Sequence, residues 1–441
     1  MHRGAGILLH VTSLPDGFDG AHGFIDFLSN ARVKYWQILA ANPTGYGDSP
    51  YAPLSSFALN PAFCSGSKIY DRASIGRFIK KHKYWLEPYA LYMAIKESQG
   101  EKDWLNWDKK LRDFSGAGVA EFKEKNADKI EKHIAIQMNL FERWAEIKNY
   151  ANERGIQIIG DIPFYPAMDS ADVWEHTDLF EFENGAPKFV AGVSPDYFNA
   201  DGQLWGNPIY DWKKLTATKF KWWIERLKHM QEICNIVRID HFRAFDSYYK
   251  IPYGEKTARV GEWVDGVGFK FFDTVQKQIP DIKIILEDLG DIGQRVKDLR
   301  DKTGYGGMRV MQFGFVHNAE NEHLPDNYPQ NCTAYLGTHD NDTFIGFLDK
   351  LNADQRGAVD EYLHSWNLDK NDVCRLAIEN LMQSRADIIL VTMQDLLFQG
   401  TKYRMNTPGT LGGNWGYKID NGQLTPVLAD CIKLLIERSG R

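Results

Sequence analysis

The stretch at residues 235–246 begins apolar and ends in charge. Ile236, Val237 and Ile239 suit a buried parallel strand, and Asp240 arrives where such a strand should surface. Arg238 stands two residues earlier, so on a strand its side chain shares a face with that of Asp240. A cation beside a carboxylate favours the charged form, and an ionised, oriented Asp at a strand end can act as a nucleophile. A purely structural Arg–Asp pair would account for these residues equally well. The case for chemistry comes from four other acids, Asp161, Glu287, Asp340 and Asp395, each of which also closes an apolar strand-like run. Carboxylates that converge on one face repel one another. Some are pushed toward the neutral form while nearby cations hold others ionised, which is the split an acid/base pair needs. Helix capping by single acids explains Asp291 well, but it explains less well a set that includes Asp240-His241 and His339-Asp340-Asn341-Asp342.

Two chemistries suit such a cluster. One is glycosyl transfer, with a nucleophile, a proton donor and a group that stabilises charge. The other is metal-assisted hydrolysis with His and Asp ligands. Strand one offers His10 without a second histidine two residues away, so the His-x-His opening of many metal-dependent barrels is missing. His241 and His339 suit hydrogen bonding to a hydroxylated substrate better than metal ligation. A binding module without chemistry is a third reading. Glycosyl transfer is preferred, with no metal and no cofactor expected.

Positioning these acids requires strands that end together. Strand-like runs lie at residues 6–11, 35–39, 157–163, 235–240, 282–286, 309–315, 333–336 and 388–391. Helical patterns occupy 21–33, 211–233, 291–304, 352–366, 371–386 and 426–438. This alternation predicts an α/β fold, a closed (β/α)8 TIM barrel with its active site at the C-terminal ends of the strands. A doubly wound sheet is the alternative, but no Gly-rich fingerprint follows the first strand. The 441 residues are read as one catalytic barrel domain, residues 1–441, with two insertions. Residues 66–155 form a mostly helical insertion between strands two and three, where Leu140, Trp144, Ile147 and Ala151 mark an apolar helical face. Residues 164–211 read as a long loop without regular structure that covers the substrate. Residues 406–416 form a Gly-rich loop.

Composition narrows the class. A net charge of −7 argues against a general nucleic-acid binder, and no apolar run reaches membrane-spanning length. The start of the chain leads into a strand without a signal-peptide pattern. Five scattered cysteines suggest reduced thiols in a cytoplasm.

The motifs also carry a resemblance. Arg238-Ile239-Asp240-His241-Phe242-Arg243, Glu287-Asp288-Leu289-Gly290 and Gly337-Thr338-His339-Asp340-Asn341-Asp342-Thr343 resemble those of the 4-α-glucanotransferases, glycoside hydrolase family 77. The loop Pro43-Thr44-Gly45-Tyr46-Gly47-Asp48-Ser49-Pro50-Tyr51 is similar to that family too, as are Gly160-Asp161-Ile162-Pro163, Pro195-Asp196-Tyr197-Phe198, Leu204-Trp205-Gly206-Asn207-Pro208 and Arg404-Met405-Asn406-Thr407-Pro408-Gly409-Thr410. The resemblance runs through nearly the whole chain in order. It implies a retaining transferase of α-1,4-glucan segments between maltooligosaccharides, or to glucose. An α-glucan hydrolase using the same carboxylates is the alternative. Asp240 would be the nucleophile, Glu287 the general acid/base and Asp340 the transition-state stabiliser. Arg238, His339, Asp161, Ser49 and Asn406 are the polar candidates for substrate binding, and Tyr46, Tyr51, Tyr197, Phe198 and Trp205 the candidate sugar platforms.

Overall fold

The computed structural model describes residues 1–66, 68–195 and 200–441. Eight short parallel strands form its frame: β1 Gly4–Leu8, β2 Tyr35–Gln37, β3 Gln157–Ile162, β4 Ile236–Ile239, β5 Ile284–Leu286, β6 Gly307–Val310, β7 Cys332–Tyr335 and β8 Ile388–Thr392. The hydrogen-bonded order is β5-β4-β3-β2-β1-β8-β7-β6, so the strands follow chain order around a ring. The ring closes between β5 and β6 through the parallel bridge Ile285–Gly306, where the Leu286 N–H donates to the Gly306 carbonyl at 2.9 Å. This is the expected (β/α)8 barrel. Its strands are apolar because both their faces are covered: every residue of β1, β2 and β4–β8 is buried.

Between β2 and β3 lie the helices Arg72–His82, Leu86–Ser98, Ala117–Lys125 and Ala127–Glu153. The last of these buries the stripe Leu140, Trp144, Ile147 and Ala151, and the Trp144 indole N–H donates to the Ile233 carbonyl at 2.8 Å.

The structure differs from the sequence-based expectation at several elements. The single helix expected over 211–233 is two helices, Trp212–Ala217 and Lys221–Ile233. They break at Lys219 and Phe220, whose φ values are 53° and 56°; Phe220 is buried there with its ring 5.4 Å from that of Phe271. Asp291 caps no helix: that helix runs Gln294–Thr303 from Gly293 and stops at left-handed Gly304, as expected for its end. The segment 164–211 is not devoid of regular structure. Strands Phe189–Val193 and Gln203–Pro208 pair antiparallel and join Ser247–Pro252 and Glu262–Asp265 in a four-stranded sheet. Gly192 permits that pairing, because a Cβ there would meet the Gln203 carbonyl oxygen at 2.2 Å. Among the described residues no helix is long and apolar enough to cross a membrane.

Candidate active site

Register brings the first three charges together. Asp161 on β3 is the Cα partner of Arg238 on β4, so both side chains point to the same face of the sheet. Arg238 Nη1 donates to both Asp161 oxygens at 2.8 and 2.7 Å, and its Nη2 lies 2.9 Å from Asp240 Oδ1. The Tyr51 hydroxyl donates to Asp161 Oδ2 at 2.7 Å. The Asp161 side chain has no exposed surface. It therefore does not reach a sugar, as had been expected of it, and instead supports Arg238 and Tyr51. Arg238 is likewise buried beneath Asp240, where it holds that carboxylate and not the substrate.

Glu287 begins the loop after β5. Its N–H donates to the Ile239 carbonyl and its carbonyl accepts the Phe242 N–H, both at 3.0 Å, which ties the ends of β4 and β5 together. Its carboxylate accepts the His241 N–H at 2.7 Å and the Leu289 N–H at 2.9 Å. The left-handed conformation of His241, φ 51°, sits at this turn. Asp340 lies in the loop after β7, beyond Gly337, Thr338 and His339. Asn406 Nδ2 donates to its Oδ1 at 2.6 Å, His339 Nε2 lies 3.3 Å from its Oδ2, and the Arg404 guanidinium donates to its carbonyl.

Burial pushes the carboxyl groups of both Asp240 and Glu287 upward. Arg238 opposes this at both, while Glu287, Asp161 and Asp340 add to it at Asp240. The rise is the greater at Asp240, and the Leu289 and His241 N–H groups draw Glu287 down as Arg238 does; direct contact with Arg238 is what favours the ionised form of Asp240. Burial also lowers the imidazoles: His241 falls to about 3, with Arg243 adding to the effect, and His339 is lowered against the pull of Asp340. Both are neutral at pH 7 and available as hydrogen-bonding groups.

Asp240 and Asp340 open into a groove of about 570 Å³. Ser49, Tyr51, Trp205 and Asn406 line it. The Tyr51 ring stacks on His339 with centroids 5.1 Å apart and planes 6° off parallel. Trp205 meets His241 edge-on at 4.8 Å. Tyr46 is 76% exposed and lies outside the groove wall; Tyr197 and Phe198 lie outside the described residues. Sequence reasoning did not single out Trp415, Gln203 or Asn207, all of which line the groove. Trp415 stands 5.9 Å from Tyr51 and 6.1 Å from His339; an aromatic residue inside the Gly-rich loop was the available signal. Asp395 does not join the other acids. Its carboxylate is buried, accepting the Phe344 N–H at 2.7 Å and the Thr392 hydroxyl at 2.8 Å.

The family model described as 4-alpha-glucanotransferase matches residues 9–75 and 65–424. The 4-alpha-glucanotransferase of Synechocystis sp. is 38% identical, covering 100% of this chain and 98% of its own. That of Streptococcus pneumoniae is 37% identical over 97% of this chain and 95% of its own. The solved amylomaltase from Streptococcus agalactiae in complex with acarbose superposes with a TM-score of 0.94 at 33% identity, covering 100% of this chain and 99% of that one. The chain belongs to the 4-α-glucanotransferase family, glycoside hydrolase family 77.

Proposed function

We propose that Asp240 is the nucleophile and Glu287 the general acid/base of a retaining double displacement at this groove. Membership of the family makes the protein a 4-α-glucanotransferase, acting on α-1,4-glucans. In the first step the Asp240 carboxylate attacks C1 of a bound glucan. The C1–O4 bond breaks, and the proton of Glu287 passes to the departing O4. In the second, Glu287 takes the proton from the 4-hydroxyl of an acceptor. That oxygen attacks C1 and the Asp240 ester bond breaks, returning the carboxylate. Asp340, steadied by Asn406 and His339, faces the charge that develops on the sugar ring. Tyr51, Trp205 and Trp415 offer flat apolar faces for pyranose rings. Ser49 and Asn406 supply hydroxyl-bonding groups at the groove wall.

The observation that carries the assignment is the Arg238–Asp240 contact at 2.9 Å beside the tied end of β5. The same groove supports glucose as an acceptor, since nothing in the mechanism needs more than one 4-hydroxyl. The five free thiols support a cytoplasmic setting. Incubation with maltotriose followed by chromatography tests the reading. Glucose together with a ladder of longer maltodextrins is expected; growth of reducing ends without longer products would make the enzyme a hydrolase instead.

A further inference from the structure

The seam that closes the barrel is built unlike the other strand pairings. β5 and β6 share the single bridge Ile285–Gly306, whereas β4 and β5 pair over Ile284–Val237, Ile285–Arg238 and Leu286–Ile239. Beyond the bridge a side chain replaces the ladder. Asp288 Oδ1 accepts the Met308 N–H of β6 at 2.6 Å. Its Oδ2 accepts from Arg300 at 2.7 Å and from Arg309 at 3.5 Å. The Asp288 side chain is 2% exposed, and Gly307 is what makes room for it: a Cβ at Gly307 would stand 2.4 Å from Asp288 Oδ2. The residues on either side of this anchored carboxylate are Glu287 itself and Leu289, whose N–H donates to Glu287 Oε1.

We propose that Asp288 is the positioning residue of the proton donor, its carboxylate pinning the β5 loop to β6 so that Glu287 is held in place and in a negative field. The proposal rests on Glu287 being the acid/base. A buried negative charge next to Glu287 favours the protonated form, and Asp288 acts on it in that sense. The other groups facing Glu287 are Arg238 on β4, Asp240 and His241 just after it, and Tyr335 on β7. Asp288 itself faces Arg300, Arg309, His323 and Cys332. Two guanidinium groups thus screen Asp288, and Arg300 is the outer of the two, with 15% of its side chain exposed against 6% for Arg309.

The test is the pH profile of kcat/KM for maltotriose disproportionation. Asp288→Asn removes the negative charge and keeps the shape. Its alkaline limb is expected to move to lower pH, with kcat reduced roughly 10- to 100-fold by misplacement of the acid. Arg300→Gln removes a screening cation and leaves Asp288 held by Met308 and Arg309, so its alkaline limb should move to higher pH. A merely structural knot would lower activity without moving the limbs in opposite directions. Unmoved limbs, or limbs moving the same way, overturn the proposal. Should Asp288→Asn fail to fold, the direction of the Arg300→Gln shift decides alone. Glu287→Gln keeps this test separate from the assignment beneath it. It should lose maltotriose turnover yet keep first-turnover fluoride release from α-maltosyl fluoride, whose leaving group needs no proton. Equal loss on both donors removes Glu287 as the acid. Selective loss there, with unmoved limbs in the other two variants, removes only the role of Asp288.

Discussion

The two acids of the proposed double displacement are held by opposite means. Asp240 is seated on a full positive charge: Arg238 bridges it to Asp161 inside a continuous ladder of β3, β4 and β5. Glu287 is held by two backbone N–H groups, at the end of the strand that borders the seam. Three carboxylates surround one guanidinium, so the cluster has more negative charge than its cation can balance. In the proposed roles the acid in contact with that cation is the one that ionises, and the other carries the proton. On that assignment, nucleophile and proton donor differ in what lies behind each side chain, not in the side chains themselves.

The largest effect should come from removing the nucleophile. Asp240→Asn is expected to lower kcat by about 10⁴-fold or more while the fold is retained, and a donor with a fluoride leaving group should not rescue it. That failure of rescue, set against the rescue expected for Glu287→Gln, sharpens the contrast. Rescue of Asp240→Asn would break it. Arg238→Gln comes next. It leaves Asp161 buried beside Tyr51 without its cation, and removing one partner of a buried pair costs about 3–5 kcal/mol. Without the guanidinium, Asp240 is pushed further toward its neutral form. The acidic limb of kcat/KM should then move to higher pH, and a limb that stays in place would mean Arg238 does not set the charge of Asp240. Tyr51→Phe removes only the hydroxyl that Asp161 accepts and keeps the ring on His339. About a tenfold fall in kcat, equivalent to ~1.4 kcal/mol, is expected with little change in KM. A change confined to KM would show the hydroxyl contacting sugar directly.

Much of this arrangement was legible because parallel strands buried on both faces must be apolar, and an acid that ends such a run is conspicuous. All eight barrel strands were found that way, with ends displaced by a few residues. The start of β6 was missed because Gly306 and Gly307 look like a turn, yet Gly307 is in the strand to admit the Asp288 carboxylate. The antiparallel sheet beside the barrel was missed because Gly192, Gly206 and Pro208 interrupt the alternation that marks a half-buried strand. Asp161 and Asp395 show the limit of the strand-end rule. Position along a strand says how high a side chain sits; it does not say whether neighbours have already consumed its oxygens. For Asp161 those neighbours are Arg238 and Tyr51, and for Asp395 they are Phe344 and Thr392.

Asp395 provides the smallest effect and the cleanest control, since it is a buried acid in the short helix Met393–Leu396 after β8 that meets no cation among the described residues. Burial raises its carboxyl from 3.8 to about 6, against the lowering hydrogen bonds of Phe344 and Thr392. A raised folded value means the native state holds a proton that the unfolded chain releases between those two points. Stability accordingly falls as pH rises through that window, by up to about 3 kcal/mol, and the loss is constant above it. Asp395→Asn keeps an oxygen for the Phe344 N–H and an amide for Thr392, and it cannot ionise. Thermal unfolding should show the variant gaining on the wild-type protein from pH 4 to pH 6.5, with activity within about twofold because the groove is untouched. If the variant instead loses ground as pH rises, Asp395 is held by a charge, as Asp240 is, and the contrast between charge-seated and neutral acids in this barrel fails.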